Sequence, residues 1–237
     1  MENKNNMFVS VIVPCFNEAG NIMPLINSIH EELSFVRHQI VVVDDNSPDG
    51  TFDIVKNADL EYVKPILRMT DPSLAKSIRT GLENADGDVF VVMDSDFNHQ
   101  PKYLSFMVKN LEYYDCVTAS RFMYGGAMGS RARHILSWLF NVFVRVVTRK
   151  FVTDSLYGYF SIKRETMEKI DYNHVFWGYG DYCIRLMYYL QENKENILQF
   201  PAVNGKRLSG EANGGFVKVF WQYTRETLRL VFGKKEE

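Results

Sequence analysis

Five short apolar runs rich in Val and Ile, at residues 8–13, 39–43, 62–67, 89–93 and 116–119, set the strongest limit on what this chain can fold into. Each has the length of a strand, and an unbroken apolar run suits a strand covered on both faces. Segments of helical spacing separate them, the clearest placing Ile22, Leu25, Ile26, Ile29 and Leu33 on one stripe. Strand and helix therefore alternate. That predicts parallel strands joined by right-handed crossovers, with ligands bound at the carboxyl ends of the strands. In the second half the pattern predicts helices over residues 131–150, 181–191 and 215–232 and a strand over 159–162. No repeat, low-complexity linker or Pro-rich hinge interrupts the 237 residues, so one α/β domain is expected.

Composition removes several classes of function. With 27 Lys and Arg against 29 Asp and Glu, the chain lacks the polycationic character of a nucleic-acid binder. Cys15, Cys116 and Cys183 have neither metal nor disulfide spacing and read as small core residues in a reducing compartment. The apolar run near the N-terminus is too short for a secretory signal. The longest central run, residues 135–144, ends at Arg145 and falls well short of the roughly 20 apolar residues of a spanning helix. A cytoplasmic protein is expected.

Chemistry concentrates at the ends of three predicted strands. The fourth run leads into Asp94-Ser95-Asp96-Phe97-Asn98, two carboxylates and an amide oxygen, a set that suits Mg²⁺ or Mn²⁺. Loop capping is the ordinary alternative for such acids. The second run ends in Asp44-Asp45-Asn46-Ser47-Pro48-Asp49-Gly50 and the first in Pro14-Cys15-Phe16-Asn17-Glu18, so three strand ends deliver acids into one crevice. Like charges gathered in this way are costly without a compensating cation or donor-rich ligand.

These segments, with Asp94-Ser95-Asp96-Phe97-Asn98-His99-Gln100-Pro101, Ser120-Arg121-Phe122, Gly125-Gly126, Arg133 with Ser137 and Asn141, Asp154 with Gly158, and Arg207 with Gly210, resemble glycosyltransferase family 2. Within it, the chain looks most like the dolichyl-phosphate mannosyltransferase group. The resemblance runs from about Phe8 to Phe232 and implies a GT-A fold, a Rossmann-like, mostly parallel sheet flanked by helices. It divides the domain, residues 8–232, into a nucleotide-sugar half (8–120) and an acceptor half (121–232), with tails at 1–7 and 233–237. It further implies inverting transfer of a hexose from a nucleotide sugar, mannose from GDP-mannose first, to a polyprenyl phosphate. Pro14, Phe16, Glu18 and Asp45 would hold the nucleoside, with Asp44, Ser95 and Arg207 in the same donor set. Asp94, Asp96 and Asn98 would ligate the divalent metal on the diphosphate. His99 is expected to be a structural hydrogen-bonding residue.

The acceptor side is read from charge as well as from likeness. Residues 121–153 contain Arg121, Arg131, Arg133, Arg145, Arg149 and Lys150 and no acid, so an anionic acceptor would be drawn there. By resemblance Arg121, Arg133 and Arg207 suit phosphate contacts, with Arg131 as a nearby substitute. The interleaved run from Ile135 to Val144, which includes Trp138, is apolar on more of its circumference than one core stripe needs. It reads either as an interfacial helix on a membrane surface or as a helix buried on two faces. The last predicted helix repeats the theme. Asp181 either orients Arg185 or an acceptor arginine, or starts a helix as a cap.

Three departures from the family pattern limit the substrate reading. Residues 68–76 contain no glycine, Tyr157 and Phe160 stand where a small hydroxyl residue and an arginine are usual, and Asn213 stands where a lysine is common. The nearest alternative is transfer from a UDP-hexose to a saccharide hydroxyl, with Asp181 or Asp154 as the required base. A nucleotidyltransferase is disfavoured because the loop after the first strand has no Gly-rich phosphate cradle, and a non-catalytic binding module has no need of the acids at 94 and 96.

Overall fold

The computed structural model describes residues 7–205 and 216–233. The strands are β1 (Phe8–Cys15), β2 (Arg37–Asp44), β3 (Val63–Leu67), β4 (Val89–Val92), β5 (Cys116–Ser120), β6 (Phe160–Lys163) and β7 (Ile197–Pro201). The helices are α1 (Ile22–Glu32), α2 (Thr51–Asn57), α3 (Leu74–Glu83), α4 (Leu104–Asn110), α5 (Arg131–Thr148), α6 (Arg164–Met167), α7 (Tyr172–Val175), α8 (Tyr182–Glu192) and α9 (Phe216–Phe232). The strands form one sheet in the order β3-β2-β1-β4-β6-β5-β7. Every neighbouring pair is parallel except those of β6, which runs antiparallel to both β4 and β5.

That exception fits the mostly parallel sheet expected from the sequence. After β5 the chain makes a long excursion through α5 and re-enters the sheet at the edge where it left, so β6 must run the other way. Its start, and hence residues 154–159, lies beside the carboxyl ends of β4 and β5, because Phe160 pairs with both Val92 and Thr118.

Alternation along β1 explains the two layers of core. Val9, Val11 and Val13 pack with Leu25, Ile29, Leu104 and Met107 on one face, while Ile12 packs with Ile78, Leu82, Phe160 and Leu186 on the other. Burying one such side chain is worth about 1.5–3 kcal/mol, so two full layers account for the sheet's dominance over the fold. Helix α3 approaches so closely that a Cβ on Gly81 would collide with the Ile12 side chain. A third, smaller cluster joins Phe140 and Val144 of α5 to Ile184 of α8, with Tyr223 and Leu230 of α9 packed against it. All three cysteines are free and buried, as expected of core residues.

Candidate active site

Chain order starts at β1 in the centre of the sheet, moves out to β2 and β3, then returns to β4 on the other side of β1. The crevice such a reversal opens lies at the carboxyl edge, between the loops after β1, β2 and β4. Asn17, Asn46 and Phe97 in those three loops adopt left-handed backbone angles, with φ of 60°, 60° and 63°. Strain of that kind persists only where surrounding contacts enforce it.

The acids at the end of β2 are held rather than loose. Asp44 is buried, with Oδ1 accepting the Ser47 N–H at 2.8 Å and Oδ2 the Ser47 hydroxyl at 2.6 Å. Asp45 takes Arg68 on Oδ1 and the Ser73 N–H at 2.8 Å on Oδ2. Ser73 also caps α3 and donates its hydroxyl to the Gly178 carbonyl at 2.6 Å. The glycine-free segment 68–76 thus serves as a brace for Asp45. Pro14 is buried in β1, Phe16 stands exposed at the rim, and the Glu18 N–H is held by the Thr51 hydroxyl at 2.9 Å.

The loop after β4 is organised around Asp96 and His99. Asn98 donates its backbone N–H to Asp96 Oδ1 at 3.0 Å and its amide to Oδ2 at 2.8 Å. Ser95 and Asp96 are buried, whereas the Asp94 side chain is 39% exposed. The Asp94 N–H donates to His99 Nδ1 and His99 Nε2–H to the Tyr157 carbonyl, both at 2.8 Å, while the imidazole stacks on Tyr159. Burial pushes His99 down to about 4 against the opposing pull of Asp96, so the ring is neutral at physiological pH and both nitrogens are spent on the backbone. His99 is accordingly structural.

The donor set offered to a cation by Asp94, Asp96 and Asn98 is all oxygen, the chemistry that Mg²⁺ and Mn²⁺ prefer. The Asp96 carboxylate and the Asn98 amide are already brought together on one loop, so the set fits such an ion. For Asn98 to join, its amide must turn so that Oδ1 replaces Nδ2. Among the described residues no three His, Cys, Asp or Glu side chains form a metal cage of their own.

Arg121 follows β5 and forks onto Asp154, with Nε donating to Oδ2 at 2.7 Å and Nη2 to Oδ1 at 2.9 Å. The Arg121 N–H adds a third bond at 3.0 Å, and Asp154 is buried. A carboxylate so occupied orients a guanidinium and is not placed to take a proton from a hydroxyl, which removes Asp154 as the base of the saccharide alternative. Asp181 is likewise spent. It is fully buried and accepts Arg185 Nη1 at 2.6 Å, the Tyr179 N–H at 2.8 Å and the Gln222 amide at 3.2 Å. Its carboxylate caps no N–H of α8, so of the two expected roles the structure realises the orientation of Arg185.

Arg131 and Arg133 are exposed on the first turn of α5, which Ser130 caps. Helix α5 is anchored beside Asp154 through Asn141, whose Oδ1 accepts the Ser155 N–H at 2.8 Å. Arg207 and Asn213 lie outside the described residues. Sequence reasoning missed Arg68, Ser73 and the bridging part of Tyr157. Arg68 and Ser73 carry no motif signal of their own, and only the departures in segment 68–76 and at position 157 mark those places.

Acid-bearing loops at the carboxyl edge of such a mostly parallel sheet mark an α/β domain of the GT-A fold. Structures of glucosyl-3-phosphoglycerate synthase from Mycobacterium tuberculosis share that fold. One with Mn²⁺, UDP and glucosyl-3-phosphoglycerate aligns with a TM-score of 0.73 at 18% identity over 96% of this chain and 80% of that one. Another, with Mg²⁺ and UDP, gives 0.70 at 20% identity over 96% and 80%. The chain belongs to glycosyl transferase family 2, whose family model matches residues 10–176, and it is a glycosyltransferase. It is 29% identical to the dolichol-phosphate mannosyltransferase of Pyrococcus furiosus over 95% of its own length, and spans 64% of that protein. It is also 29% identical to the undecaprenyl-phosphate mannosyltransferase of Micrococcus luteus, over 89% of this chain and 90% of that protein. The polyprenol monophosphomannose synthase of Mycolicibacterium smegmatis is 31% identical over 70% of this chain and 65% of its own length.

Proposed function

We propose that this glycosyltransferase moves a hexose, in the first instance mannose from GDP-mannose, to the phosphate of a polyprenyl phosphate at the cytoplasmic face of a membrane. In this reading residues 8–120 hold the donor, residues 121–232 hold the acceptor, and Asp94, Asp96 and Asn98 hold Mg²⁺ or Mn²⁺. The bound cation would neutralise charge developing on the nucleoside diphosphate as it leaves. A phosphate oxygen of the acceptor attacks the anomeric carbon from the face opposite the leaving group, with inversion. That nucleophile is already ionised near neutral pH, so no protein base is required. The engagement of Asp154 and Asp181 by buried arginines agrees with such a reaction. Arg131 and Arg133 would receive the acceptor phosphate at the start of α5, with Arg121 set behind them by Asp154.

The observation that carries the lipid acceptor is the outer face of α5 and α9. Ile135, Leu139 and Val146 share one side of α5, opposite Phe140 and Val144, and are exposed, with Trp138 beside them at 47%. On α9, Trp221 and Phe232 are 67% and 75% exposed. Arg131, Arg145, Arg225 and Arg229 are exposed on the same two helices. Apolar faces bearing Trp and rimmed with arginine fit an anionic bilayer surface. No helix among the described residues is long and apolar enough to cross a membrane.

The test is a thermal-shift panel of GDP, UDP and dTDP with and without Mn²⁺, followed by transfer assays on polyprenyl phosphate and on soluble sugars. A ligand that binds the native state raises its melting temperature according to its concentration over Kd, so a metal-enlarged GDP shift supports the mannosyl donor. A UDP shift with transfer to a soluble sugar would replace it by the second reading, UDP-hexose donor and saccharide acceptor. That reading draws on the UDP in the mycobacterial structures.

A further inference from the structure

We infer that Tyr157 is a positioning residue that holds the metal loop in register with the acceptor-side Arg121–Asp154 pair; the inference rests on the metal site proposed above. Tyr157 is buried just before β6 and touches both sides of the crevice. Its hydroxyl donates to the Asn98 carbonyl at 3.0 Å, and its own carbonyl accepts His99 Nε2–H at 2.8 Å. Its ring meets the His99 ring edge-on at 4.6 Å, and the Arg121 guanidinium lies over it at 4.6 Å. A single side chain therefore contacts the backbone of one metal-loop residue and the arginine that Asp154 orients. The Asn98 carbonyl also accepts the Gly205 N–H at 2.9 Å, so residue 98 is gripped by segments before β6 and after β7.

Groups that orient metal ligands without touching the metal typically change metal affinity by about 10–100-fold when removed. Tyr157→Phe deletes one hydroxyl and keeps the ring under Arg121, so the fold should survive. Tyr159→Phe is the matched control. Its hydroxyl donates to the Gln100 carbonyl at 2.9 Å, on the same loop but beyond the proposed ligands.

The readout is Mn²⁺ binding to the intact chain in the presence of GDP, followed by electron paramagnetic resonance of free Mn²⁺ without turnover. Tyr157→Phe should weaken Mn²⁺ binding about tenfold, lower kcat with little change in acceptor KM, and leave GDP binding in EDTA unchanged. Tyr159→Phe should keep the Mn²⁺ affinity of the unaltered chain. Equal Mn²⁺ affinity in Tyr157→Phe and the unaltered chain overturns the inference, as does equal weakening in both tyrosine variants, which would assign the effect to general loosening. An unaltered chain that binds GDP but no Mn²⁺ overturns the proposed metal site and this inference with it.

Discussion

Asp44 at the end of β2, and Asp45 and Asp96 in the loops after β2 and β4, each have both carboxylate oxygens engaged by neighbouring groups. Along α5, by contrast, Ile135, Leu139 and Val146 stand in solvent. The first region spends its hydrogen bonds on fixing geometry, as a pocket for a small ligand must if its groups are to be placed within a fraction of an ångström. The second leaves apolar area unburied, at about 25 cal/mol for every Å² that a covering surface would remove from water. Strand ends braced in advance suit a compact ligand, and an apolar face left open suits an extended surface.

The comparison breaks most completely at the metal loop. Asp96→Ala removes a proposed ligand and the acceptor of both Asn98 bonds, and should lower kcat by about 10³-fold or more, a loss of the size seen when one charge-stabilising group is removed from a transition state. The melting temperature should move little, because the residue sits in a loop. Steady-state transfer and thermal denaturation on the same preparation check both halves, and turnover unchanged from the parent would remove Asp96 from the reaction.

The Arg121–Asp154 pair comes next. Asp154→Ala leaves a buried guanidinium without its counter-ion, a defect that costs about 3–5 kcal/mol. For a chain of this size that corresponds to a fall in Tm on the order of 10 °C. Calorimetry decides it. A shift below about 2 °C would mean that Arg121 finds water in the variant and that the acceptor side is wetter than its burial implies.

Arg133→Ala tests the open region at its most polar point. Loss of the proposed phosphate contact should raise acceptor KM by about tenfold. GDP affinity should stay constant, and titration of each substrate separates the two. A loss confined to the donor would move Arg133 across the crevice.

Much of this contrast is legible in the chain. Strands β1 and β4 and the second half of β2 are buried on both faces, and therefore appear as runs dominated by Val and Ile. Strand β7 does not, because Ile197–Pro201 lies at the sheet edge, mostly half-buried, and includes Gln199. The direction of β6 is invisible locally, since it depends on where the chain re-enters the sheet. The acids at 44, 45, 94 and 96 are evident as strand-end residues, yet their partners are not. Arg68 meets Asp45 across 23 positions, and Tyr157 meets Asn98 across 59. Local pattern reports what a side chain needs, whereas tertiary contact decides who supplies it. The excess apolar circumference of α5 was legible as a need, and the fold leaves that need unmet on its outer side.

The smallest effect tests that unmet need. Trp138→Glu places a charge where an anionic bilayer would lie, without removing a core contact, since the core side of α5 is carried by Phe140 and Val144. Co-sedimentation with anionic vesicles should fall several-fold, by about the 1–2 kcal/mol that one partly exposed aromatic contributes. The melting temperature should stay within about 2 °C of the parent, because surface substitutions of this kind change stability by only about 0.5 kcal/mol. Transfer to polyprenyl phosphate in vesicles should fall with binding, while transfer to the same acceptor dispersed in detergent should not. A variant that unfolds would place Trp138 in the core after all, and one that binds vesicles as well as the parent would hand the open face to a protein partner instead. Either result would redraw the line between the braced strand ends and the open face of α5.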